Sequence, residues 1–227
     1  MNTGILLEGG SNDCELGFLL RRSGGGGCCG ELRSNAGAWD IIADWPTIVM
    51  PLPPTLKPAT VDPKTTALFL FDFMSTNCGE RPRCVEAVPK LKALHDRARA
   101  ANMLVAYTMP GDGKIIDPSI APRQGEVVDQ RPGGPDKFLG DDLDQRLKGR
   151  GIKTVILCGT SAQGVGIGTG SGAVQRGYDV IYPVDCLPSE SAFREAYAAW
   201  HMGGGGPPVT TRRVTVTRSD MITFENR

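Results

Sequence analysis

From Thr65 onward, short apolar runs alternate with longer segments of helical period. Ala67-Leu68-Phe69-Leu70-Phe71 is apolar without interruption, the pattern of a parallel strand covered on both faces. Over 85–101 the spacing predicts an amphipathic helix, with Val85, Val88, Leu91, Leu94 and Ala98 on one side and Lys90, Lys92, Asp96, Arg97 and Arg99 elsewhere. Met103-Leu104-Val105-Ala106-Tyr107 predicts the next strand. The scheme then repeats: a helix over 141–149, a strand over 154–158, a helix over 163–176, a strand over 179–184, a helix over 190–201 and an edge strand over 213–217. Such alternation predicts βαβ units with right-handed crossovers, giving a three-layer α/β/α sandwich with a mainly parallel sheet.

Two stretches break the pattern. In residues 1–57 a Gly run (Gly24 to Gly27) and Pro51-Leu52-Pro53-Pro54 interrupt any period, so this part reads as a loosely attached arm before a domain over 58–227. Arg21 and Arg22 permit a targeting role, but Glu8, Asp13, Glu15 and Glu31 count against a transit peptide. The Pro- and Gly-rich region 110–134 is long for a plain connection and is expected to cover a site.

The 227 residues suit one domain plus an extension, because single domains commonly run about 100–200 residues. Twenty-five basic residues balance twenty-five acidic ones, which gives no electrostatic case for nucleic acid or an anionic membrane. A small-molecule ligand is the expected partner. No apolar run reaches the ~20 residues of a membrane span, and the start lacks the basic region of a secretory signal, so a cytoplasmic protein is expected. Seven cysteines without a Cys-x-x-Cys pair argue for reduced thiols and against a zinc site. With only His95 and His201, a metal site or a Ser-His-Asp triad has few imidazoles to draw on. His201, after Trp200 at the end of an apolar helix, suits the helix terminus or a subunit contact, and a homo-oligomer is expected.

Ligands of such folds bind beyond the carboxyl ends of the strands, where three features meet: Asp72, the loop ending at Lys137 and the turn at Gly159. Asp72 closes the first apolar run. A carboxylate where a buried strand emerges is partly desolvated and suited to proton transfer. The glycines at 164, 166, 168, 170 and 172 do not make a dinucleotide loop, since every G-x-G-x-x-G frame ends on Thr169, Ser171 or Ala173 and no G-K-[ST] follows. No cofactor is implied. Each Gly costs a helix about 0.8–1 kcal/mol against Ala, so this helix should be weak or tightly packed against a neighbour. Cys158 lies within a strand and Cys186 in the loop after the next one, neither at a helix start that would activate a thiol.

Gly159-Thr160-Ser161-Ala162-Gln163-Gly164-Val165, continuing to Arg176-Gly177-Tyr178, resembles the strand-turn-helix of the isochorismatase-like cysteine hydrolases. The resemblance places the family's nucleophilic Cys at Val165, whose side chain has no electron pair to give. It implies a cis peptide in the turn that aims the backbone amides of Ser161 and Val165 at a substrate oxygen. Asp72 matches the family's aspartate, with Met74 in place of the usual Gln; the usual lysine lies earlier in the loop, where this chain has Gln130 and Arg131. Lys137 instead matches a cysteine-lacking subgroup that carries Gly-Pro-Asp-Lys-Phe, Gly-Thr-x-Ala-x-Gly and Pro-Val-Asp, a resemblance extending over residues 60–224. True isochorismate cleavers carry a His where this chain has Gln163. The implied activity is non-covalent acid/base hydrolysis of a small molecule by Asp72 and Lys137; the rival reading is a pseudoenzyme that keeps its pocket or oligomer interface.

Overall fold

Phe69 lies on a strand whose six residues are all buried. A computed structural model describes residues 40–110, 113–129, 134–140 and 142–225; the remainder of the expected arm, residues 1–39, and Gln130 and Arg131 lie outside the described residues. The chain divides into two units, 1–48 and 49–227. In the first, helix α1 (Ile41–Asp44) is capped by the Asp40 carboxylate, which accepts from the amides of Ile42 and Ala43 at 3.0 and 3.2 Å. The second unit starts before the expected boundary. Its residues 54–57 already lie on the domain, where the Lys57 amide donates to the Val216 carbonyl at 2.9 Å and Leu56 packs against the core.

The sheet of this second unit is wholly parallel. Strands β2 (Thr66–Phe71), β3 (Leu104–Thr108), β4 (Val127–Asp129), β5 (Thr154–Gly159), β6 (Asp179–Pro183) and β7 (Val214–Thr217) lie in the order β4-β3-β2-β5-β6-β7. A separate parallel pair joins β1 (Ala59–Val61) to β8 (Ile222–Phe224). The three-layer sandwich is therefore present, and its strand pattern follows from burial on both faces. Leu68, Leu70, Val105 and Ile156 face helix α2 (Pro82–Ala100), while Phe69, Phe71, Val155 and Leu157 face helices α3 (Leu143–Gly149), α4 (Ile167–Gln175) and α5 (Ala192–Trp200).

Several expectations shift. Helix α2 begins at Pro82, whose fixed φ suits the first helical position, and its inner stripe runs through Cys84, Val88, Leu91, Leu94 and Ala98. Val85 is 44% exposed, one position off that stripe. The region after β3 is more than a covering loop, since it contributes the edge strand β4, paired with β3. Cys78 and Cys84 form a disulfide with Cα atoms 5.3 Å apart, which corrects the expectation of reduced thiols for this pair. Both are buried where the turn after β2 meets the first turn of α2, so the fold brings them within bonding reach. Cys158 and Cys186 are free and buried.

On the α2 face, His95 is fully buried with Nε2 3.1 Å from the Tyr107 hydroxyl, which accepts from Arg99 at 2.9 Å. Burial, and then the Arg99 charge, hold the His95 imidazole below its usual range. A depressed imidazole means that the unfolded chain takes up its proton first as pH falls below about 6.5. Stability is then fully present above that value and declines below it. We expect the melting temperature to fall by a few degrees between pH 7 and pH 5, and His95→Gln to flatten the slope. An unchanged slope in that variant would assign the pH response to other groups.

Candidate active site

Reversal of strand order decides where the site lies. The chain builds outward from β2 through β3 to β4, then returns to the other side of β2 for β5, β6 and β7. Adjacent strands whose connections leave in opposite directions open a crevice at their carboxyl ends, here between the ends of β2 and β5. Gly159 ends β5 with φ 147°, and a Cβ there would stand 2.4 Å from Phe71 Cβ and from the Phe71 carbonyl. Only glycine lets the two strand ends approach this closely.

Asp72 follows β2 with φ 60°, a left-handed conformation that aspartate tolerates better than most residues. Its amide donates to the Thr108 carbonyl at 2.9 Å, and Asn77 Nδ2 donates to its carbonyl at 3.2 Å. The carboxylate is almost enclosed: Oδ1 accepts from Thr108 Oγ1 at 2.6 Å and Oδ2 from Lys137 Nζ at 3.1 Å. Asp72 and Lys137, 65 residues apart in sequence, thus form one buried ion pair. A carboxylate in low dielectric needs such partners.

How Lys137 reaches inward follows from its neighbours. Pro135 accepts from Thr169 Oγ1 at 2.8 Å, and that hydroxyl accepts from the Lys137 amide at 3.1 Å. Asp136 holds the Phe138 amide at 3.0 Å and pairs with Arg176 at 3.4 Å. Phe138 stacks on Tyr178 with ring centroids 5.7 Å apart, and the Arg176 guanidinium lies over the Phe138 ring at 4.9 Å. The glycines of α4 permit this contact. A Cβ at Gly168 would meet the Pro135 backbone at 2.7 Å, and one at Gly172 the Asp136 carboxylate at 2.5 Å. The helix weakened by glycine is the one packed tightly, because the lysine loop lies directly on its backbone.

After β5 the Thr160–Ser161 peptide is cis, and a turn of π-helix, Ala162–Gly166, leads into α4. Asp72, Lys137, Ser161 and Val165 all line one cavity of about 250 Å³, together with Asn77, Arg81 and Thr160. Every expected site residue is therefore at one place. Three contributors went unforeseen. Thr108 closes β3 as Asp72 closes β2, so the strand-end argument could have found it. Arg81 precedes α2, and Glu190, expected to open the helix over 190–201, lies just before α5, which starts at Ala192. Arg81 donates from Nη1 to Thr160 Oγ1 at 2.9 Å and lies 3.4 Å from Glu190. Burial pushes the Glu190 carboxyl up, yet hydrogen bonds from Arg194, its own amide, Ser189 and Gln163 together draw it down to about 2.

The chain is thus an open-sheet parallel α/β/α sandwich with a polar crevice at its switch point, the place where such folds take their ligands. Residues 66–213 match the Isochorismatase domain, and the chain belongs to the isochorismatase family. It is similar to an uncharacterized isochorismatase family protein of Bacillus subtilis (strain 168), YwoC, with 38% identity over 85 residues, 37% of this chain and 43% of that protein. The chain thus matches less than half the length of that curated relative. An isochorismatase family protein from Burkholderia thailandensis shares the fold at TM-score 0.61 and 20% identity, over 73% of this chain and 97% of that one. N-carbamoylsarcosine amidase from Thermoplasma acidophilum does so at TM-score 0.57 and 21% identity, over 69% and 97%. No helix among the described residues is long and apolar enough to cross a membrane.

Proposed function

We propose that this chain is a small-molecule hydrolase of the cysteine-lacking branch of its family, working by non-covalent acid/base chemistry. The observation that carries the reading is the buried Asp72–Lys137 pair, which opens on the same cavity as the apolar side chain of Val165. Counted from Gly159, Val165 stands where the cysteine hydrolases have their thiol, so water must be the attacking group. Asp72 takes the proton of that water as its oxygen bonds to the substrate, and returns it to the departing atom as the old bond breaks. Thr108 and Lys137 hold the carboxylate in place, and Lys137 also orients the substrate. The backbone amides of Ser161 and Val165 hold the substrate oxygen on which negative charge develops. An amide substrate, as the name of the Thermoplasma acidophilum neighbour suggests, fits this chemistry.

Neither free thiol replaces the missing one. Cys158 and Cys186 are fully buried, and burial, with Cys186 beside it, pushes the Cys158 thiol up. Turnover of a panel of amides, vinyl ethers and esters, measured before and after iodoacetamide treatment of the native protein, tests the reading. We expect activity to survive alkylation and no covalent adduct to accumulate by intact mass. Loss of activity traced to one modified cysteine would restore a thiol mechanism, and binding without turnover on every substrate would make the chain a pseudoenzyme.

A homo-oligomer is part of the proposal. Phe193 and Tyr197, one helical turn apart on α5, are 65% and 40% exposed, an apolar face suited to a second copy. Light scattering in solution is expected to give a mass above that of one chain, and a monomer at working concentration would refute it.

A further inference from the structure

Among the described residues lining the cavity, three carry charge: Asp72, Lys137 and Arg81. The first two neutralise one another at 3.1 Å. Among the described residues Arg81 pairs with one carboxylate, Glu190 at 3.4 Å, and that carboxylate also holds Arg194 at 2.6 Å. One carboxylate between two guanidiniums leaves a positive charge in excess at the cavity wall. A guanidinium offers five donors in a planar fork matched to a carboxylate, and the contact to Thr160 Oγ1 holds that fork beside the turn where Ser161 enters the cavity.

Arg81 is also fixed from behind. It lies inside the six-residue separation closed by the Cys78–Cys84 disulfide. Its amide donates to the Cys78 carbonyl at 3.0 Å, and its carbonyl accepts from the amides of Cys84 and Val85 at 2.8 and 3.1 Å. Pro82 follows at the start of α2. Asn77, immediately before the bracket, lines the same cavity and holds the Asp72 carbonyl. The disulfide therefore ties the residues that face the cavity to the first turn of a long helix.

We propose that Arg81 is the specificity-determining residue of this pocket, receiving a carboxylate group of the bound small molecule, and that the disulfide-bracketed turn holds it for that task. The inference rests on the cavity's being the substrate site. It assigns no proton transfer to Arg81.

Matched acid and amide probes test it on the full chain under non-reducing conditions: benzoate against benzamide, phenylacetate against phenylacetamide, and butyrate against butyramide, with affinities from ligand-observed NMR. A charge-assisted pair predicts that the acid binds on the order of tenfold more tightly than its amide in at least one pair. Arg81→Gln is expected to abolish that preference while leaving amide affinity unchanged. Cys78→Ser combined with Cys84→Ser should reduce the preference several-fold. If Arg81→Gln does not fold, Arg81→Lys, which keeps the charge and loses the fork, is expected to lower the preference; an unchanged preference overturns the proposal. No acid preference in any wild-type pair, or a preference that survives in folded Arg81→Gln, also overturns it. Acid preference lost in Arg81→Gln, beside an Asp72→Asn variant with unchanged turnover, would fault the acid/base reading and support this one.

Discussion

Asp72→Asn is expected to lower turnover by on the order of 10²–10⁴, the usual contribution of a positioned general acid or base. The substitution keeps the side-chain volume and one acceptor oxygen, so Thr108 or Lys137 retains a partner in the enclosed site. Substrate binding should change little, placing the loss in kcat. The measurement is steady-state kinetics on whichever substrate the panel yields, with circular dichroism to show that the variant is folded. Unchanged turnover would remove Asp72 from the chemistry and send the search for the proton-transferring group elsewhere in the cavity.

Lys137→Met should act on stability as well as on binding. The Lys137 side chain is 3% exposed and its partner carboxylate 10%, so the variant strands a buried charge. Breaking a buried pair from one side typically costs about 3–5 kcal/mol. For a domain of this size the melting temperature should fall by roughly ten degrees. The double variant Asp72→Asn with Lys137→Met, which removes both charges, should recover most of that loss, a non-additivity that a double-mutant cycle reads directly. Additive effects of the two substitutions would mean that the pair contributes nothing as a pair. On the substrate-orienting role proposed for Lys137, KM measured below the melting transition should rise in Lys137→Met.

The strands were the most legible part of the chain. β2, β3, β5 and β6 fall within a residue of the apolar runs that predicted them, because a strand buried on both faces must be apolar throughout. β4, β1 and β8 are three residues each, too short to show a period, and they exist through the partners beside them. The inner stripe of α2 was misread at Val85 because Cys84, the residue that does face inward, looks like a lone thiol until Cys78 is placed against it. An odd number of cysteines conceals a single bonded pair, since spacing along the chain does not report distance in space.

Asp72 could be singled out from its place at the end of an apolar run, a position that by itself desolvates a carboxylate. Lys137 stood out only through Gly-Pro-Asp-Lys-Phe. The reason for that motif is visible in the packing: Pro135 and Asp136 rest on the backbone of α4 at Gly168 and Gly172, and Phe138 is anchored by Tyr178 and Arg176, so the lysine between them points inward. Propensity alone marks the glycine helix as weak. Its small residues instead admit the loop that completes the site.

The parallel sheet, the order of its elements and the strand end at which a carboxylate emerges are legible in the residue pattern, because hydrophobic period and local chemistry act over a few neighbouring residues. Tertiary structure alone decided that Asp72 meets Lys137 at 3.1 Å, that Cys78 bonds Cys84, and that Arg81 enters the cavity between Thr160 and Glu190. These contacts join segments whose separation is set by strand order, and strand order is fixed by packing across the whole sheet.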